Sequence, residues 1–292
     1  MSIKICIISP ASHLKNYSTL GDCEMALTHL IVPNAGFHHS DYVKKNYVKY
    51  FKKSTSQGRW VILDNSAYEI GNLEASSATG KGLGPDLVLQ AAAMISPSIV
   101  IAQDVLCDRE ATFESTKAFI KYVKDKGLLG KFQLMAVAQG KTKDEWLASY
   151  EELAALKEID QMGFSKIAVP LSFGGSQVTN GCVAIARLRA TQEVEKEFGI
   201  NIKPAHLLGG DNYLPWELRQ QKQHPWIFSN DSSACVQYGI HGKSFNPGDG
   251  QIENIITDKP DLENNKETTK EILDRHNDII LHNIAVLHRW SK

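Results

Sequence analysis

Only five of the 292 residues are cysteine, Cys6, Cys23, Cys107, Cys182 and Cys235, and no two stand as Cys-x-x-Cys. So scattered and odd a set excludes a disulfide-framed miniprotein and reads as the reduced thiols of a cytoplasmic protein. Charge of one sign is also lacking. Lys plus Arg is 32 against 33 Asp plus Glu, a formal −1, so no global attraction to phosphate follows and any nucleic-acid contact must be local. Long hydrophobic runs are missing too. Only Lys4 precedes the run Ile5 to Ser9, and Pro10 ends it, so neither a signal peptide nor a membrane span is expected. There is no internal repeat, low-complexity tract or linker, which leaves one domain over 1–292.

What is present is globular composition, 42% hydrophobic and 22% charged, with its apolar residues in short runs. Eight runs read as strands: Ile5–Ile8, Leu30–Val32, Trp60–Leu63, Ile99–Ala102, Phe132–Ala138, Ile167–Val169, His206–Leu208 and Trp226–Phe228. Runs without polar alternation suit strands covered on both faces, as in a parallel sheet. Helical patterns lie between them. Thr142 and Glu145 form a capping box ahead of Trp146, Tyr150 and Leu153, and Phe113, Thr116, Ile120 and Val123 make a second stripe. Alternating strands and helices predict a single-domain α/β protein, a (β/α)8 TIM barrel, with an open doubly wound sheet as the runner-up. Residues 239–265 read as an irregular insertion and 266–291 as a C-terminal helix carrying Ile272, His276, Ile279, Asn283, Val286 and Trp290.

Polar residues collect where the runs end. Asp64 follows Val-Ile-Leu, Asp104 follows Ile-Val-Ile-Ala-Gln, Gln139 follows Met-Ala-Val-Ala, Gly209 follows Leu-Leu, and Asp231 follows Ile-Phe-Ser-Asn. One aspartate in such a place is usually a strand terminator or helix cap. Several at the same end of a barrel would surround one pocket. Crowded carboxylates do not ionise alike, which leaves a nucleophile beside a proton carrier, the equipment of glycosidic-bond chemistry.

At this point a resemblance becomes specific. Asp231-Ser-Ser-Ala-Cys-Val-Gln-Tyr238 is similar to the stretch that carries the nucleophilic aspartate of archaeal-type tRNA-guanine transglycosylases, and Asp64-Asn-Ser-Ala-Tyr-Glu69 resembles their proton-handling segment. Ile101-Ala-Gln-Asp104, Ala138-Gln-Gly140, Val169-Pro-Leu-Ser-Phe-Gly174 and His206-Leu-Leu-Gly-Gly210 match further family segments in order. The resemblance implies that Asp231 attacks the sugar and Asp64 handles the proton. It also implies a base pocket of Tyr68, Asp104, Gln139, Leu171, Leu208 and Gly209.

The family's closely spaced cysteine ligands have no counterpart, so no zinc and no cofactor are expected, and His276 and His282 read as helix residues. Serine, alanine, valine and proline replace family glycines at Ser66, Ala67, Val169 and Pro170. A chain ending at Lys292 favours the branch of 7-deazaguanine DNA transglycosylases, with DNA and a free 7-deazaguanine such as preQ0 as partners. The alternatives are a tRNA-guanine transglycosylase without its zinc module, a non-catalytic nucleic-acid-binding subunit, and a nucleoside or base-releasing hydrolase in which water replaces the incoming base. Lys44, Lys45, Lys49, Lys52, Lys53 and Arg59, interleaved with Tyr47, Tyr50 and Phe51, form a candidate phosphate-binding face; the same pattern also describes a helix with lysines in solvent and aromatics in the core. Gly80-Lys-Gly-Leu-Gly84 lacks the spacing of a phosphate loop and reads as a loop over the site, while Cys235 reads as a buried structural cysteine. Oligomeric state is not written in the chain.

Overall fold

Six of the eight apolar runs overlap strands of a parallel barrel, and two sit beside the segment that became the strand. The computed structural model describes residues 2–32, 41–68, 83–177, 183–210, 213–254 and 269–292. Its barrel strands are β1 Lys4–Ile7, β2 Glu24–Leu27, β3 Val61–Asp64, β4 Ile99–Ile101, β5 Gln133–Val137, β6 Gln161–Ser165, β7 Ala205–Leu208 and β8 Ile227–Ser232. All are paired in parallel in the order β1-β8-β7-β6-β5-β4-β3-β2. The ring closes between β1 and β2 through one bridge, Cys6 to Cys23, and the amides of Asp22 and Cys23 both reach the Ile5 carbonyl. The protein is a single-domain (β/α)8 barrel.

The helices that return the chain to the start of each strand are α1 Leu14–Tyr17, α2 Asp41–Ser56, α3 Pro85–Ile95, α4 Arg109–Asp125, α5 Lys143–Ala154, α6 Val183–Phe198, α7 Leu214–Gln221 and α8 Ala234–Ile240. Glu145 N–H donates to Thr142 Oγ1 at 3.2 Å as a capping box requires, but the glutamate carboxylate accepts from Lys141 N–H instead of from the threonine amide. The stretch 239–265 is partly regular: β9 Lys243–Phe245 and β10 Ile252–Asn254 form an antiparallel hairpin, while 255–265 lie outside the described residues. The expected last helix is two, α9 Thr269–Arg275 and α10 Asn277–Ser291, broken at His276, whose Nδ1 lies 2.7 Å from the Ile240 carbonyl. The Ser291 carbonyl accepts from Ile3 N–H, which ties α10 to the start of β1.

Three expectations are corrected. The second strand is Glu24–Leu27, not Leu30–Val32. A glutamate hides it, yet Glu24 is fully buried because Tyr50 Oη donates to it at 2.9 Å and Arg59 Nε at 2.6 Å. The sixth strand is Gln161–Ser165, not Ile167–Val169. Gly163 at its centre makes room for its neighbours, since an added Cβ would stand 2.7 Å from Leu208 Cδ1 and 3.0 Å from Val137 Cγ2 inside the barrel and those side chains would have to shift. The cysteines are not all free: Cys6 and Cys23 form a disulfide, with Cα atoms 4.8 Å apart, across the seam where the ring closes. Strand period two turns both side chains inward, with Met25, Ile62, Ile99, Ile101, Met135 and Val137, so spacing along the chain never paired them.

Candidate active site

β8 continues past its apolar run as Ser229-Asn230-Asp231-Ser232, all buried, with a hydrogen bond at each side chain although Asn230 Oδ1 has no partner among the described residues. Asn230 Nδ2 donates to the Leu207 carbonyl at 2.8 Å and Ser232 Oγ to the Gly210 carbonyl at 3.2 Å. Ser229 and Asp231 point into the barrel and meet His206 of β7. His206 Nε2 lies 3.0 Å from Asp231 Oδ1, and Nδ1 lies 2.6 Å from Ser229 Oγ. A neutral imidazole satisfies both contacts by donating from Nε2 and accepting the serine proton at Nδ1. Gly209 N–H also donates to Asp231 Oδ1 at 2.8 Å, and the glycine's φ of +71° aims it there. One carboxylate oxygen is thus held from two sides, while Oδ2 meets no donor among the described residues.

Asp104 follows β4, which stands opposite β8 in the ring. It is buried, and Asn65 Nδ2 donates to Oδ1 at 2.8 Å while Gln139 Nε2 donates to Oδ2 at 2.5 Å. Neither amide can turn over. Asn65 Oδ1 accepts from Ala67 N–H and Gln139 Oε1 from Cys107 N–H, which fixes the NH2 groups towards the aspartate. Burial raises the Asp104 pKa above the ordinary carboxylate value, against the lowering effect of those hydrogen bonds.

Asp64, at the end of β3, is half-buried, accepts from Ser66 N–H at Oδ1, and gives its carbonyl to the Thr28 hydroxyl. Ser66 has φ of +62°, the left-handed region that favours glycine. Its hydroxyl, 2.9 Å from His29 Nδ1, helps hold that turn, so the family glycine expected here is replaced by a residue with its own anchor.

Asp64, Asp104 and Asp231 line one cavity of about 200 Å3 at the C-terminal end of the barrel, with Tyr68, Leu208 and Gly209. Its apolar wall comes from Met25, Ile101 and Val137. Two expected residues are placed otherwise. Gln139 is buried behind Asp104 and reaches the cavity only through it. Leu171 is 47% exposed and outside the lining, because the turn Leu171–Gln177 carries it away from the mouth.

The basic face is not gathered at the mouth. Arg59 stands at the start of β3, the end opposite Asp64, with its guanidinium on Glu24 and on the Gly21 carbonyl. Lys45, Lys49, Lys52 and Lys53 are exposed along α2 and Lys44 is half-buried, while Tyr47 and Phe51 pack into the core. The helix is amphipathic, with its lysines towards solvent and its aromatics towards the core. His276 and His282 both face backbone carbonyls, and burial pushes the Cys235 thiol up to about 12. Gly80–Gly82 lie outside the described residues.

His206, Asn65 and the cavity-lining Lys166 were not singled out from sequence. His206 had a signal, since it is two residues from Leu208 and so shares its inward face.

No family model and no curated protein matches the chain. Among solved structures it is similar to the catalytic domain of a Bacillus sp. JAMB-750 GH26 endo-β-1,4-mannanase, at 12% identity and TM-score 0.46, over 99% of this chain and 89% of that one. It is also similar to a fungal β-1,4-galactanase, at 12% identity and TM-score 0.40, over 88% of this chain and 90% of that one. Neither is a base-exchange enzyme, and the expected exchange of guanine for a 7-deazaguanine, in DNA or tRNA, is corrected: it finds no counterpart among these structures, whose likeness is one of fold. No described helix is long and apolar enough to cross a membrane.

Proposed function

We propose that the chain is an enzyme that cleaves the glycosidic bond of a single sugar ring by double displacement. The observation that carries this reading is Asp231: one oxygen fixed by Gly209 N–H and His206, the other unbonded, in a cavity that Asp64 and Asp104 also line. A nucleophile held in this way loses little freedom on attack. Asp231 Oδ2 would bond to the anomeric carbon as the glycosidic bond breaks, while Asp64 gives its proton to the departing atom. Water, losing a proton to Asp64, then displaces the aspartate. The net reaction is glycoside plus water to free sugar plus aglycone, with retained configuration. Asp64 suits the proton role because it is half-buried and can exchange protons with solvent. Asp104, fixed by two amides, would grip a hydroxyl edge, and Met25, Ile101, Val137 and Leu208 would meet the apolar face of the ring.

A cavity of about 200 Å3 suits one ring and its leaving atom rather than a run of sugars. The test is a panel of aryl pentosides and hexosides, with slow 2-deoxy-2-fluoro glycosides as a trap. The expected outcome is release of the aryl group and a peptide containing Asp231 heavier by one sugar, with both lost in Asp231→Ala at unchanged circular dichroism. Full turnover by Asp231→Ala, or no turnover of any glycoside, overturns the proposal.

A further inference from the structure

Lys166 follows β6 and is half-buried against the same cavity, yet among the described residues its ammonium makes no hydrogen bond and no ion pair. It is not within salt-bridge distance of any of the three aspartates of the cavity. Its position is not left to chance either. The stem crosses Gly209: a Cβ added to that glycine would lie 3.1 Å from Lys166 Cδ, 3.2 Å from Cε and 3.3 Å from Cγ. The peptide it crosses is the one whose N–H holds Asp231. From below, the Lys166 amide donates to the Leu208 carbonyl at 3.0 Å, and the buried Arg187 guanidinium reaches the Leu208 and Gly209 carbonyls at 2.9 and 2.7 Å. A strand end held by these bonds therefore brings a cation into the cavity that Asp231 lines. Ser233, two residues beyond Asp231, lines the same cavity, and its hydroxyl caps nothing in α8.

Two polar side chains, one cationic and both without partners among the described residues, thus line the cavity with Asp231, just past β6 and β8, while Asp64 ends β3 and Asp104 follows β4. Lys166 is the one lysine among the described residues of the lining, and a ligand that offered hydroxyls alone would bring it no charged partner. An anionic oxygen would give the ammonium a charge-assisted hydrogen bond and the serine an acceptor. We propose that Lys166 and Ser233 form a subsite for an anionic substituent of the substrate, a phosphate ester or a carboxylate on the sugar, and that Lys166 sets this specificity. The inference rests on the glycoside reading for the identity of the ligand, but its test needs no turnover.

Binding is measured by titration calorimetry on the Asp231→Asn variant, where cleavage is blocked. The ligands are a free pentose, its 5-phosphate, a hexuronate, and inorganic phosphate as the anion alone. The expected result is that the pentose phosphate or the hexuronate binds at least tenfold more tightly than the neutral pentose, and more weakly as salt is raised. Adding Lys166→Met removes the preference, and adding Lys166→Arg retains part of it. The stronger of the two acidic sugars identifies the anion, phosphate or carboxylate. The proposal is overturned if no acidic sugar is preferred or bound at millimolar concentration, if inorganic phosphate binds as well as the sugar phosphate, or if the preference survives Lys166→Met. An anion preference in a protein that cleaves no glycoside would defeat the catalytic reading and leave the subsite standing.

Discussion

Arg187 of α6 is 1% exposed, and its removal should cost more than any single change at the cavity wall. The guanidinium meets Glu217 of α7, also 1% exposed, through two bonds of 2.6 Å, Nε to Oε1 and Nη2 to Oε2. Nη1 reaches the carbonyls of Phe164, Leu208 and Gly209 at 3.2, 2.9 and 2.7 Å. Breaking a buried pair from one side leaves an uncompensated charge, at about 3–5 kcal/mol. Arg187→Met leaves Glu217 in that position and removes a donor from three carbonyls, so the upper half of the range is expected, a large share of the ~5–15 kcal/mol that holds a typical domain together. Glu217→Gln should cost less, because the guanidinium keeps its carbonyl acceptors. Arg187→Met with Glu217→Gln should recover part of the loss, since no buried charge is then left alone. Urea unfolding followed by circular dichroism reads this as a lower midpoint at unchanged slope. A loss below about 1 kcal/mol for Arg187→Met, or no recovery in the double variant, would refute this account of the pair.

Two further predictions concern the interior. Burial raises Asp104 in the folded state above its unfolded value, so between those two values the native protein binds more protons and stability falls as pH rises. Asp104→Asn should remove that fall from the curve of unfolding free energy against pH, whatever it costs in absolute stability by orphaning an amide; parallel curves would contradict the assignment. The Cys6–Cys23 disulfide closes a loop with a sequence separation of 17, for which loop entropy gives about 3 kcal/mol. Reduction, or Cys6→Ser with Cys23→Ser, should lower the unfolding free energy by about that amount in denaturant titration, and intact-mass analysis after alkylation should find two fewer reactive thiols before reduction than after it.

The barrel was legible because six strands overlap short apolar runs, the pattern of a parallel sheet packed between helices. The two displaced strands fail that rule for reasons no local pattern shows. Glu24 is tolerable in β2 only because Arg59 and Tyr50 come to it from α2 and the following turn, and Gly163 marks β6 only once Leu208 and Val137 are known to converge on it. The same limit applies at the site. Asp64, Asp104 and Asp231 stand out at strand ends, whereas Asn65, His206 and Lys166 are defined by partners on neighbouring strands. Leu171 and Arg59 were drawn in by motif and by charge; a turn and a buried glutamate take them elsewhere.

The polar interior of β7 and β8 links stability to chemistry. His206, Ser229 and Asp231 occupy inward positions that a barrel ordinarily fills with branched apolar side chains, and each of their contacts replaces packing with a directed hydrogen bond. Such a chain tolerates no half measures, because an unsatisfied buried group costs more than the bond it could have made. Its members hold one another in a single arrangement, and that arrangement leaves Asp231 Oδ2 as the unspent acceptor. The order needed for the strand to fold is then the order that the proposed attack requires, so on that proposal a variant that loosens His206 without unfolding the barrel would act on turnover before it acts on stability.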